Sequence, residues 1–97
     1  MVMKNPPHPG LHVRSCMEEV SVSVSRLSQD LGVTRQQMHN ILAGRSGINA
    51  PMAVRFERAF GSTAEMWLSL QAAYDLAQAR SSTDVSAVPC YGQQGTS

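Results

Sequence analysis

The chain has 97 residues, of which 42% are hydrophobic and 15% charged, and its formal net charge is only +1. A chain of this length supports one small domain with one core, and this composition is globular rather than disordered. No apolar run is long enough to span a bilayer and no charged-then-apolar leader opens the sequence, so no membrane association is expected and a cytoplasmic protein is the simplest reading.

Residues 1–9 contain Pro6, Pro7 and Pro9 and read as an extended arm. A short helix is predicted from Gly10 or Leu11 to about Glu19, its faces marked imperfectly by Leu11, Val13 or Arg14, and Met17. Ser21 and Ser23 lead into the most informative stretch, residues 24–43, VSRLSQDLGVTRQQMHNILA. Val24, Leu27 and Leu31 recur at three and four residues, as one helix face requires. Gly32 ends that helix in a left-handed conformation open to a residue without Cβ. Thr34 then opens a second helix as N-cap, with Gln37 placed to complete a capping box. Met38, Ile41 and Leu42 fall on its inner face, and the small Ser28 sits where the two helices cross. Two short helices around a tight glycine turn make a helix-turn-helix, whose second helix enters the DNA major groove.

The outward face of that second helix separates a DNA reader from an ordinary helical hairpin. It carries Arg35, Gln36, Gln37, His39 and Asn40, and residues 33–49 contain no Asp, Glu or Lys. Forked amide and guanidinium groups match base edges, whereas a merely solubilising face more often carries Glu and Lys. Charge follows the same pattern. Residues 26–58 hold Arg26, Arg35, Arg45, Arg55 and Arg58 against Asp30 and Glu57, while the flanking segments are neutral or acidic. Gln36, Gln37 and Asn40 are the expected base readers. Ser23 and Thr34, at helix starts, and Arg35 and Arg45, flanking the recognition helix, are expected at phosphates. His39 lies on the same DNA-facing side.

Gly44 closes the recognition helix, residues 45–48 form a loop, and Asn49 caps a fourth helix with Pro51 in its first turn. Met52, Val54 or Arg55, Phe56, Ala59 and Phe60 carry it to Gly61. Ser62, with Glu65 as a second capping box, is predicted to start the longest helix, ending near Arg80. Met66, Trp67, Leu70, Ala73, Tyr74 and Ala77 form one stripe, with Leu68 and Leu76 outside it. Such an over-wide apolar surface fits either a fully buried central helix or a helix packed on a second copy. Residues 81–84 read as linker, 85–91 as a short strand, and Gly92 onward as a frayed end. The expected organisation is therefore a DNA-binding domain over 1–80 and a tail over 81–97.

Catalysis and metal binding find little support. Cys16 and Cys90 are the only cysteines and form no CxxC pair. His8, His12 and Cys16 fall short of a four-ligand zinc set. No nucleophile stands at a spacing that promises an oriented base. The chain is expected to be neither an enzyme nor a cofactor carrier.

Three segments, NPPHPG at 5–10, LGVTRQQMHNILAGRSGI at 31–48 and FGSTAEMWLSLQAAYDL at 60–76, resemble the HigA-type antitoxins, a branch of the Xre/Cro-like helix-turn-helix family. The resemblance covers nearly the whole chain, and its most specific parts are the HPG opening and the helix bearing MWLSLQAAYDL. It implies an all-α, five-helix, lambda-repressor-like domain with a short C-terminal strand or tail. It further implies a homodimer that represses its own operon on double-stranded operator DNA and binds a ribosome-dependent mRNA-cleaving toxin of the HigB or RelE type. A stand-alone Xre regulator without a toxin is the alternative. By position, the family's DNA-contacting residues match Thr34, Gln36, Gln37 and Asn40, with Asn40 expected to read adenine where arginine is common. Two positions depart from the pattern. Leu11 replaces the acid usual after HPG, and Pro89 confines the tail strand to an edge or shortens it.

Overall fold

The computed structural model describes residues 5–92. It contains five helices in chain order: α1 (Pro9–Val20), α2 (Val24–Leu31), α3 (Arg35–Leu42), α4 (Ala50–Phe60) and α5 (Ala64–Ser82). The all-α, five-helix expectation holds, and α2 and α3 are the predicted helix-turn-helix. The first four residues of the proline-rich arm, and the frayed end beyond Gly92, lie outside the described residues.

Each start and stop has a local cause. Ser23 accepts a hydrogen bond from the Arg26 amide, Thr34 from the Gln37 amide and Asn49 from the Met52 amide, so three predicted N-caps satisfy helix-end donors. Gly32 and Gly61 end α2 and α4 with left-handed φ values of 73° and 81°, while the C-cap of α3 is Ala43 and Gly44, φ 78°, turns the chain one residue later. Ser28 is buried at the α2–α3 crossing, and its hydroxyl donates to the Val24 carbonyl at 2.7 Å. That bond removes the polarity a close helix contact would otherwise strand.

The core is continuous. Val13 and Met17 of α1, Leu27 of α2, Met38, Ile41 and Leu42 of α3, Met52, Ala53 and Phe56 of α4, and Trp67 of α5 are all buried, with Ile48 from the loop between α3 and α4. Trp67 is completely enclosed, with ring centroids 5.0 Å from Phe56, 6.1 Å from Phe60 and 5.0 Å from His12.

Four details differ from the sequence reading. Helix α1 begins at Pro9, because His8 is its N-cap and accepts from the Gly10 amide at 2.9 Å. The N-cap of α5 is Thr63 rather than Ser62; it accepts from Met66 at 3.1 Å, and Glu57 of α4 accepts from Ala64 at 2.9 Å. A carboxylate reaching across the turn thus replaces the local Ser62–Glu65 box. The helix runs on to Ser82, where the Ser81 and Ser82 hydroxyls donate to the Gln78 carbonyl.

The fourth difference is in the tail. Residues 85–91 form no strand; Asp84 accepts from the Ser86 amide and the Val88 amide donates to the Val85 carbonyl, closing a turn. The bond from the Ser86 amide, assisted by the Ser86 side chain, also holds the exposed Asp84 carboxyl below its usual range. A strand needs a neighbouring ladder, and a single copy offers none here. Nor is α5 wholly buried: only Trp67 and Gln71 are, while Leu68 and Leu76 remain 36% and 50% exposed.

Candidate nucleic-acid interface

The recognition helix is opened by a reciprocal cap. Thr34 Oγ1 accepts from the Gln37 amide at 3.0 Å, while Gln37 Oε1 accepts from the Thr34 amide at 2.8 Å and from its hydroxyl at 3.2 Å. The same Gln37 that faces outward is therefore anchored by its oxygen. Arg35, one residue in, donates from Nη1 to Ser25 Oγ of α2 at 3.4 Å, tying the two helices together on their exposed side.

A second cluster lies toward the other end of the helix. Asn40 Oδ1 accepts from Gln36 Nε2 at 3.0 Å and from Arg45 Nε at 3.2 Å. The main chain repeats the link, with the Arg45 and Ser46 amides donating to the Asn40 carbonyl at 2.8 and 3.2 Å. Five of the eight sequence-predicted residues thus join through side chains in two groups, Gln36–Asn40–Arg45 and Thr34–Gln37. Ser23 stands at the start of α2, Arg35 bonds only to Ser25, and His39 is exposed without joining either cluster. Nearby positive charge is unevenly engaged. Arg26 pairs with Asp30 at 2.9 Å, and Arg55 donates to the Leu31 carbonyl at the end of α2.

What holds this face in place comes from residues the sequence reading did not assign to it. Gly10 of α1 packs so closely on α3 that a Cβ there would overlap the Ile41 carbonyl oxygen. His8 meets Gly44 on one side and the Tyr74 ring on the other, edge-on at 4.8 Å. The HPG turn therefore clamps the C-terminal end of the recognition helix. From α5, the buried Gln71 accepts from the Ile48 amide at 2.7 Å and donates to Asp75 at 2.9 Å. Gly47 lies directly against it, since a Cβ there would sit 2.9 Å from the Gln71 amide. Gln71 thus pins the loop that carries Arg45. A signal existed: Gln71 stands four residues after Trp67, on the same helix face, where an amide among apolar side chains marks a buried polar contact. These residues border an open cleft of about 460 Å³ between the HPG turn, the loop and α5.

Among the described residues no group of three or more His, Cys, Asp and Glu gathers as a metal site, and no helix is long and apolar enough to cross a membrane. Burial, assisted by Glu19, pushes the Cys16 thiol up, the opposite of an activated nucleophile.

No family model matches the chain. Virulence-associated protein A′ of Dichelobacter nodosus is 44% identical over 77 residues, covering 78% of this chain and 67% of that protein. The HTH-type transcriptional regulator YddM of Escherichia coli K12 is 31% identical over 86 residues, covering 89% of this chain and 92% of YddM. Among solved structures, an addiction module antidote protein of the HigA family from Coxiella burnetii is 30% identical with a TM-score of 0.77, covering 89% of this chain and 97% of its own. The Pseudomonas aeruginosa antitoxin HigA, solved with higBA promoter, is 29% identical with a TM-score of 0.84, covering 92% of this chain and all of its own. Sequence identity, coverage and the five-helix arrangement agree: the chain belongs to the HigA-type antitoxins of the Xre-like helix-turn-helix family.

Proposed function

We propose that this protein is the antitoxin and autorepressor of a toxin–antitoxin operon, binding operator DNA as a homodimer and neutralising a HigB- or RelE-type mRNA-cleaving toxin. The observation that carries the DNA half is the exposed, acid-free face of α3, where Gln36, Asn40 and Arg45 are mutually braced by hydrogen bonds. The family relative solved with promoter DNA supports the same reading. Gln36, Gln37 and Asn40 address base edges. Ser23 and Thr34, at positive helix ends, and Arg35 and Arg45 address phosphates, with His39 beside them.

One helix-turn-helix makes few phosphate contacts, so a dimer with two recognition helices about 34 Å apart is the working unit. Exposed Leu68 and Leu76 on α5, followed by Val85, Val88 and Tyr91 in the tail, supply apolar surface for that pairing. The toxin then meets the N-terminal arm and α1, or the outer side of α5, because the recognition helix is committed to the groove. Such a protein works where its operon is, in the cytoplasm.

The test is a titration of the full chain against DNA from upstream of its own reading frame and against scrambled DNA, each at two salt concentrations. Arg35→Ala should weaken both DNAs alike, and Arg35→Ala and Arg45→Ala should each shallow the salt slope by about one unit. Gln36→Ala should cost on the order of 1–3 kcal/mol on the operator alone. Equal affinity for both DNAs at every salt refutes the operator reading. Co-purification with the neighbouring gene product tests the other half, and its failure leaves the stand-alone regulator. Gln36→Ala and Gln37→Ala should leave toxin capture intact.

A further inference from the structure

We propose that Asn40 presents only donors to the DNA and therefore selects guanine rather than adenine; this rests on the DNA-binding reading above. Arginine has N–H donors and no acceptor. Arg45 Nε lies 3.2 Å from the Asn40 side chain, so the atom facing it must be the amide oxygen. That fixes which way the Asn40 amide points. Gln36 reaches the same oxygen at 3.0 Å and must therefore offer its nitrogen, Nε2. A carbonyl oxygen has two lone pairs, and both are now engaged. Only Nδ2, with its two N–H groups, is left to bond outward.

Adenine's major-groove edge pairs an acceptor, N7, with a donor, the N6 amino group, so bidentate recognition requires a side chain with both functions. Guanine's edge offers N7 and O6, both acceptors, and suits a group that only donates. Gln37 shows the same polarity. Its oxygen is occupied by the Thr34 amide and hydroxyl at 2.8 and 3.2 Å, leaving its NH₂ outward. The main-chain bonds from Arg45 and Ser46 to the Asn40 carbonyl hold Arg45 beside Asn40 independently of its side chain. Arg45 thus acts as a positioning residue for the base reader while its terminal nitrogens remain available to phosphate.

The experiment selects duplexes from a randomised library with the full-length protein and with Asn40→Ala. The position at which Asn40→Ala relaxes preference identifies the base that Asn40 reads. Guanine is expected there. Replacing it with 7-deazaguanine, which lacks the N7 acceptor, should weaken binding of the unaltered protein by at least about threefold. Arg45→Ala frees the Asn40 oxygen and should raise adenine relative to guanine at that position by about threefold or more, over a general loss of affinity. Adenine preferred by the unaltered protein, or indifference to 7-deazaguanine, overturns the proposal while leaving DNA binding standing. Retention of no duplex at all overturns the DNA-binding reading and this assignment with it.

Discussion

Replacing Gln71 with leucine keeps most of the side-chain volume but removes the acceptor that satisfies the Ile48 amide. That hydrogen bond is buried and 2.7 Å long, between α5 and the loop after the recognition helix. Leucine leaves the amide buried and unpaired, which costs about 1–3 kcal/mol. The lost bond to Asp75 adds little, since that carboxylate is exposed and rehydrates. A domain of this size loses several degrees of melting temperature per kcal/mol, so Gln71→Leu should melt roughly 5–20 °C below the parent. Thermal unfolding followed by circular dichroism measures this, at one protein concentration because dimerisation shifts the midpoint. Gly47 supplies an internal control. A Cβ at Gly47 would press on the Gln71 amide at 2.9 Å, so Gly47→Ala should destabilise the parent. It should do so much less in a Gln71→Ala background, with a coupling of about 0.5–3 kcal/mol. Melting of Gln71→Leu within about two degrees of the parent, or strict additivity of the pair, refutes the claim that Gln71 pins this loop.

Trp67→Ala should cost about 3–5 kcal/mol, from lost packing against Phe56 and Phe60. The buried Trp67 Nε1 has no hydrogen-bond partner among the described residues, so the loss is of packing alone; denaturant titration checks the figure. Gly10→Ala should destabilise by about 1–3 kcal/mol, because its Cβ meets main chain at Ile41 and α1 must move away from α3. The same measurement tests it, and a neutral outcome denies the close contact. Truncation after Arg80 should weaken self-association without abolishing it, since Leu68 and Leu76 remain on α5. Sedimentation velocity of both forms at equal concentration reads this directly, and a full-length monomer at micromolar concentration refutes the dimer.

The five helices, the position of the helix-turn-helix and most of its caps were legible in the order of the residues. Those features depend on interactions within a few residues. Thr34 and Gln37 are three apart, Ser23 caps Arg26, Gly32 takes its left-handed turn locally, and Leu27, Met38 and Phe56 follow the helical period. The outward polar face of α3 was legible for the same reason, because helix geometry fixes which residues share a side. What braces that face comes from segments far apart in the chain. Gln71 meets Ile48 across 23 residues, Arg55 reaches Leu31 across 24, Gly10 packs on Ile41, and His8 sits between Gly44 and Tyr74. At the start of α5 the cap passes to Thr63, one residue on from Ser62, and Glu57 of α4 adds an acceptor for the Ala64 amide across the turn. The direction of the Asn40 amide is set by Gln36 and Arg45, only four and five residues away, yet periodicity does not give it, since a side chain's outward position says nothing about which of its atoms is already bonded. The tail shows the limit from the other side: the strand pattern of residues 85–91 is local, but a ladder needs a partner, and within one chain the segment closes a turn instead.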